Sequence, residues 1–287
     1  MYIILGATGH VGSAVAQELL AANEPVTVVT HDLAKTWEWQ QRGATVTVAD
    51  VHDTDRLRQI FRQEKRLFLL NPPAPPATDT AQEERRSIAA ILAALAGSGL
   101  EKIVAESTYG AQPGDRIGDL GVLYELEQAL AATGISTSIL RAAYYLSNWD
   151  MALPTAQQEG KVYTLYPPDF KLPMVAPQDI GQVAARLLRE PLDHSGLHHV
   201  EGPAPYSSAD VAAAFAAALG KPVQAVEIPR DQWVASLTQK GFSPAAAESM
   251  AAMTALTLEQ QYEPATAPLR GTTTLAAYIS VLVQFHA

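Results

Sequence analysis

Gly6-Ala7-Thr8-Gly9-His10-Val11-Gly12 is the stretch whose residue types and spacing point most directly to chemistry. A short apolar run, Tyr2-Ile3-Ile4-Leu5, precedes it, and Val11, Val15 and Leu19 follow at helical spacing. A glycine-rich turn between a strand and a helix is suited to holding a diphosphate. Gly6 permits the tight turn, Gly9 lets the backbone approach a phosphate, and Gly12 lets helix and strand pack closely. The helix start then offers N–H groups and a positive dipole end, with Thr8, His10 and Val11 in the same turn. The spacing is G-x-x-G-x-x-G, and the ligand it implies is a dinucleotide, NADP or NAD.

Other groups fall after the later strands. Beyond the second, Thr30-His31-Asp32 with Lys35 occupies the place that tells NAD from NADP. His31 can donate to a 2′-phosphate, and Asp32 can instead cap the next helix, so NADP is favoured and NAD is the alternative. Asp50, after the third strand, stands where an adenine contact falls, or caps a loop. Asn71 and Pro72 open a proline-rich loop with Pro73, Pro75 and Pro76, either a rigid wall beside the nicotinamide or an exposed turn. After the fifth strand, Ser107, Thr108 and Tyr109 can meet a nicotinamide or a substrate carbonyl. Tyr124 follows on the next helix as a candidate acid, but a lysine four residues on would be needed to lower its pKa, and Gln128 stands there. Tyr124 is then a packing residue or a dispensable acid.

The elements that must position these groups alternate along the first half. Strands are expected over 2–5, 26–30, 45–48, 66–70, 102–106 and 135–140, with helices over 11–20, 34–42, 53–61, 80–96 and 121–133. The expectation is an α/β fold: a Rossmann-type, doubly wound parallel sheet with a smaller C-terminal α/β substrate region. The division expected is 1–145 for the nucleotide domain and 146–287 for the substrate or partner region, some of whose segments return to the sheet. Strands over 172–176 and 198–201 and helices over 180–188, 209–219, 232–240, 244–258 and 274–284 are expected there. Tyr144, Tyr145, Trp149, Tyr163 and Tyr166 supply either aromatic pocket walls or core.

Composition narrows the classes. The 287 residues carry a net charge of −10 and no cysteine, which excludes disulfides and thiolate chemistry. An acidic surface argues against direct nucleic-acid binding. No apolar stretch spans a bilayer, and the first strand begins at Tyr2, so a cytoplasmic protein without a signal peptide is expected. No metal site is expected, because His198 and His199 are adjacent and point to opposite faces of a strand.

These pieces together resemble the NmrA-like family, the atypical short-chain dehydrogenases that include isoflavone reductases, triphenylmethane reductases and certain quinone oxidoreductases. The resemblance rests on the 6–12 turn, Ala49-Asp50-Val51, Glu106-Ser107-Thr108, Ile139-Leu140-Arg141 with Ser147-Asn148, and Val175-Ala176-Pro177-Gln178-Asp179-Ile180. The stretches 200–203 and 219–223 resemble the family's C-terminal region. The resemblance implies a cleft between nucleotide and substrate regions, and it places His31 near an NADP-selecting arginine of many members. Reductases of the family often carry a lysine where Leu123 stands. It implies an NAD(P)H-dependent oxidoreductase acting on a small quinone-like or carbonyl compound. The alternative is a non-catalytic NAD(P) sensor acting through a protein partner, and a homodimer is left open.

Overall fold

A computed structural model describes residues 1–286. Strand and helix alternate through β1 (Tyr2–Ile4), α1 (His10–Ala21), β2 (Val26–Thr30), α2 (Thr36–Gln41), β3 (Thr45–Val48), α3 (Thr54–Phe61), β4 (Arg66–Leu69), α4 (Thr80–Leu95), β5 (Lys102–Thr108), α5 (Asp119–Ala131) and β6 (Ser136–Ala142). Then come β7 (Tyr144–Tyr145), a 3-10 helix (Leu146–Ala152), α6 (Leu153–Glu159), β8 (Lys161–Thr164), β9 (Leu172–Val175), α7 (Pro177–Arg189), β10 (Gly196–Glu201) and β11 (Pro205–Tyr206). The chain ends with α8 (Ser208–Leu219), β12 (Gln224–Glu227), α9 (Trp233–Gln239), α10 (Pro244–Leu258), β13 (Leu269–Arg270) and α11 (Leu275–Phe285).

Eight strands form one sheet in the order β3-β2-β1-β4-β5-β6-β10-β13. Every neighbouring pair in it is parallel. The order reverses between β1 and β4, and ligands of such sheets bind outside the carboxyl ends of the strands at that crevice. The 6–12 turn and the 71–76 loop both leave the sheet there.

Alternation along β5 shows how the sheet sorts its side chains. Val104 packs with Val11, Val15, Ile180 and Ala184 on the α1 and α7 face. Ile103 and Ala105 pack with Leu57, Ile91 and Leu126 on the α3, α4 and α5 face. α1 and α7 approach closely because both are small at the crossing: a Cβ on Gly181 would lie 2.5 Å from Ala14 Cβ. Asp179 fastens this layer to the C-terminal segment. Its carboxylate accepts the Thr272 N–H, the Thr273 N–H and the Thr273 hydroxyl, so the Asp-Ile segment is a structural clasp.

A separate apolar core carries Leu146, Trp149, Met174, Val211, Phe215 and Ile279. Tyr144 and Tyr166 belong here, edge to face with centroids 6.1 Å apart, so these aromatics with Trp149 are core and not cleft wall. Tyr163 lies apart and donates to Glu159 at 2.8 Å. His198 and His199 pair with Leu140 and Arg141 across β10 and β6, and the His199 ring meets Tyr109 edge-on. Among the described residues no helix is long and apolar enough to cross a membrane.

Candidate functional site

The glycine turn begins with Gly6 at φ +71°, a left-handed conformation that strains any other residue. The Gly9 N–H returns to the Gly6 carbonyl at 3.0 Å and closes the turn. Gly12 sits against it: a Cβ there would lie 2.2 Å from Gly6 O and 2.4 Å from Gly6 C. At Gly9 the situation is opposite, since a Cβ would meet only Gly6 O, at 3.5 Å. Gly12 is thus glycine because the protein's own backbone fills the space, whereas the space beside Gly9 is open. No side chain caps α1, so its first-turn N–H groups stay available, while α3, α4 and α8 are capped by Asp53, Asp79 and Ser207. Thr8 is half-buried, His10 is exposed and Val11 is buried in the turn. His10 Nε2 lies 3.6 Å from Asp150, a contact that reaches from the turn to the second core.

The loop after β2 divides its polar groups between two tasks. Asp32 accepts the Ala34 N–H at 2.9 Å and caps a 3-10 helix over Leu33–Lys35. Its carboxylate is therefore spent on the backbone, as the capping alternative anticipated. Lys35 then turns back and donates to the Thr8 carbonyl at 3.3 Å. His31 is exposed on the same loop. The Lys35 ammonium thus links this loop to the glycine turn, on the same loop as His31, the residue on which the NADP expectation rests. Asp50, expected either to contact adenine or to cap a loop, accepts the His52 N–H at 2.8 Å and shapes the β3–α3 loop.

The remaining candidate groups come from β4, α4, β5, α5 and β7. Asn71 accepts from the Ser87 hydroxyl at 2.6 Å and donates to the Glu84 carbonyl at 3.4 Å, which braces the proline-rich loop and Pro72 against α4. The buried Glu84 carboxyl accepts the Ala74 N–H of that loop at 3.1 Å. Burial, with Asp119 facing it, pushes the Glu84 carboxyl up to about 8. Desolvation of its carboxyl raises Asp119 in turn, although the residue as a whole is exposed.

On β5 the two hydroxyls separate. Ser107 is buried and donates to Glu127 Oε1 at 2.5 Å, and Glu127 also holds Arg141 in a two-pronged ion pair at 2.9 and 2.6 Å. The hydroxyl expected to meet a substrate oxygen is therefore part of the packing between β5, β6 and α5. Alternation turns Thr108 to the other face, half-buried at the strand end, where it remains a candidate. Tyr109 is occupied by Glu201, at 2.8 Å, and Glu201 pairs with Arg270. Tyr124 is half-buried on α5, and its neighbour Glu125 is taken by Arg85 of α4.

Glu106, on the same face of β5 as Thr108, is 5% exposed. Its Oε1 accepts the Tyr145 hydroxyl at 2.8 Å, while Oε2 is buried without a partner. Desolvation drives its carboxyl up to about 8, against the hydrogen bond from Tyr145. In the sequence Glu106 stands out only as part of the Glu106-Ser107-Thr108 motif. The signal available was a carboxylate flanked by Ile103-Val104-Ala105 in a strand that must be buried on both faces.

A model of the NmrA-like family matches residues 2–280. The chain is 26% identical over 256 residues to an NAD(P)H azoreductase from Xenophilus azovorans, covering 89% of this chain and 87% of that one. It is 26% identical over 254 residues to quinone oxidoreductase 2 from Escherichia coli, covering 88% and 86%. Among solved structures, triphenylmethane reductase from Citrobacter sp. with NADP(H) superimposes with a TM-score of 0.81 at 17% identity, covering 98% of this chain and 100% of that one. The NADPH-dependent quinone oxidoreductase of Escherichia coli with NADPH gives 0.78 at 24% identity, covering 98% and 99%. At such identities the structures establish a shared fold.

Proposed function

The chain belongs to the NmrA-like family, and from that premise we propose that it is an NADPH-dependent reductase of a flat, conjugated acceptor such as a quinone. The observation that carries the reading is the contrast within the glycine turn: Gly12 is filled by the protein's own backbone and Gly9 is left open. In this reading the N–H groups of the turn and the start of α1 hold the diphosphate. Lys35 meets the 2′-phosphate of NADP, with His31 beside it, and Asp50 lies toward the adenosine. Asn71, Pro72 and Thr108 border the nicotinamide end. The reduced nicotinamide, when bound, supplies a hydride; the protein orients it and excludes water. Residues 1–145 carry the cofactor, and 146–287 close the cleft over the acceptor.

The acceptor class comes from the relatives, whose names specify azoreductase, quinone oxidoreductase and triphenylmethane reductase activities. Azo groups, quinones and the cationic triphenylmethane dyes are all conjugated acceptors that can take the two electrons of a hydride. The test is oxidation of NADPH and NADH in the presence of p-quinones, azo dyes and triphenylmethane dyes. Turnover with one of these classes, faster with NADPH, is the expected result.

A second reading has one observation of its own. A nitrogen metabolite regulation-like protein from Gibberella fujikuroi is 27% identical over 206 residues, covering 66% of this chain and 61% of that one. On this second reading the chain is a non-catalytic sensor, which would bind NADPH tightly and reduce none of the three classes.

A further inference from the structure

The first residue of α1 reaches across to the second half of the chain. His10 Nε2 lies 3.6 Å from Asp150 Oδ2, and Asp150 Oδ1 accepts the Tyr278 hydroxyl at 2.9 Å. One line of polar contacts thus joins the glycine turn, the 3-10 helix over Leu146–Ala152 and α11. Its two ends differ in setting. The His10 side chain is 63% exposed, whereas that of Asp150 is 25% exposed and Tyr278 packs against the second apolar core. α1 has no side-chain cap, so the imidazole stands beside first-turn N–H groups that lack a side-chain partner.

His10 is the one residue of the 6–12 turn with a side chain whose type changes charge near neutral pH. The groups that bear on it come from three places. Asp150 faces it from the 3-10 helix, and Tyr278 and His286 of the C-terminal segment act on the same carboxyl. From the loop after β2, Lys35 donates to the Thr8 carbonyl of the turn. Burial raises the Asp150 carboxyl, opposed by the hydrogen bond from Tyr278 and by His10 and His286 nearby. One anion thus already accompanies the ring, and a diphosphate held by the start of α1 would add a second. Anions around an imidazole favour its charged form. We propose that His10 is a proton-linked ligand of the cofactor: binding of a dinucleotide fixes its imidazolium between the diphosphate and Asp150, and so fastens the 3-10 helix and α11 to the bound cofactor.

The inference rests on the cofactor's placement at the glycine turn, which the reductase and sensor readings share, and not on reduction. Asp150 acts through His10 and is a positioning residue. The proton enters from solvent, to which the ring is open. The complex then holds more protons than its separate parts, so affinity rises as pH falls through the range in which imidazoles titrate. This linkage differs from one at His31. The diphosphate is common to NADH and NADPH, whereas the 2′-phosphate belongs to NADPH alone, so NADH isolates the contribution of His10.

The test is calorimetric titration of the whole chain with NADH, in two buffers of different ionisation heat, from about pH 6 to about pH 8. It is repeated with NADPH, and for His10→Gln and Asp150→Asn. Wild type should take up part of one proton on binding NADH. Its NADH dissociation constant should be about fivefold lower at the acid end than at the alkaline end, the upper range for an exposed charge pair. His10→Gln keeps a polar donor at an exposed position. It should bind NADH within about twofold of wild type at the alkaline end and lose both the proton uptake and the pH dependence. Asp150→Asn should move the uptake to lower pH, because one of the two anions that favour the charged ring is gone. Hydrogen exchange gives the second readout. At the acid end NADH should slow exchange in Leu146–Ala152 and in Leu275–Phe285 of wild type, and much less in either variant.

NADH binding without proton uptake in wild type would overturn this inference and leave the cofactor placement standing. So would uptake retained in His10→Gln, uptake with NADPH alone, or equal protection of α11 in wild type and His10→Gln. Failure of wild type to bind either dinucleotide would overturn both.

Discussion

Replacing Gly9 and replacing Gly12 should have opposite consequences, though the residues lie in the same turn. At Gly12 an added Cβ would fall 2.2 Å from Gly6 O, 2.4 Å from Gly6 C and 2.8 Å from Ala7 N. All three are backbone atoms, fixed by β1 and by the positive φ of Gly6, so α1 itself must move. Overpacking of this kind costs about 1–3 kcal/mol. For a domain of this size each kcal/mol lowers Tm by about 2–4 °C, so Gly12→Ala should lower it by about 2–12 °C. At Gly9 the φ of −97° and ψ of 178° are open to any residue, and the nearest atom to an added Cβ is at 3.5 Å. Gly9→Val should cost only the poorer helix cap, at most about 1 kcal/mol. Its isopropyl group, however, fills the space through which a diphosphate reaches the α1 N–H groups. Charge-assisted hydrogen bonds contribute about 1.5–3 kcal/mol each, so losing two of them weakens NADPH binding by about a hundredfold or more. Calorimetric titration with NADPH and thermal melting of both variants give the answer. Undiminished NADPH affinity in a folded Gly9→Val protein would refute the placement of the cofactor. A wild-type Tm in Gly12→Ala would refute the packing argument.

Four further outcomes are expected. Lys35→Ala should weaken NADPH by about tenfold, the low end for an exposed charged contact, and leave NADH nearly unchanged; equal losses for both would exclude a 2′-phosphate role. Ser107→Ala should cost about 1–2 kcal/mol in urea denaturation, by removing a hydrogen bond to a buried carboxylate, with kcat changed by less than about threefold. A large kcat loss at unchanged stability would return Ser107 to the cleft. Tyr124→Phe should change kcat by less than about tenfold, below the range of a general acid. For pH, Glu84 and Glu106 hold protons up to about 8 in the fold, whereas an unfolded glutamate loses its proton near about 4.3. Between those values the folded state binds more protons, so stability falls as pH rises through that window. The Tm of wild type should decline across it and that of a Glu84→Gln, Glu106→Gln double variant should decline less; a flat wild-type profile would contradict the burial argument.

Much of the nucleotide half can be read from the chain because each signal there is local. The 6–12 turn and the alternation of strand and helix follow from periodicity and caps; in the second half, helix α10 at Pro244–Leu258 follows from its Ser243-Pro244 start and its alanine-rich run. Boundaries shift where a cap decides them: α7 begins at Pro177 and not at residue 180, because Pro fits the first turn of a helix. The span 34–42 divides into a 3-10 helix and α2 because Asp32 caps the first turn. Pairs formed at a distance escape such reading. β8 and β12 are short and depend on each other, Lys161 to Thr164 against Gln224 to Glu227. β13 is two residues laid on β10. The site divides the same way. The glycines announce themselves, whereas Ser107 and Thr108 are adjacent and chemically alike, and only the pleat sends one to Glu127 and the other to the opposite face of the sheet. The meeting of His10, Asp150 and Tyr278 joins residues from three elements, which no local pattern records.

The central claim is that this chain binds NADPH at the glycine turn in order to transfer a hydride. Its most direct test is a single turnover: protein loaded with NADPH deuterated at the transferring carbon is mixed with 1,4-naphthoquinone, and nicotinamide absorbance is followed in a stopped-flow instrument. The account expects the absorbance to decay with the protein present, more slowly for the deuterated cofactor than for the ordinary one, and to do so in wild type but not in Gly9→Val. Tight NADPH binding with no decay beyond the protein-free rate, for naphthoquinone and for azo and triphenylmethane dyes alike, would contradict it and identify the chain as a sensor.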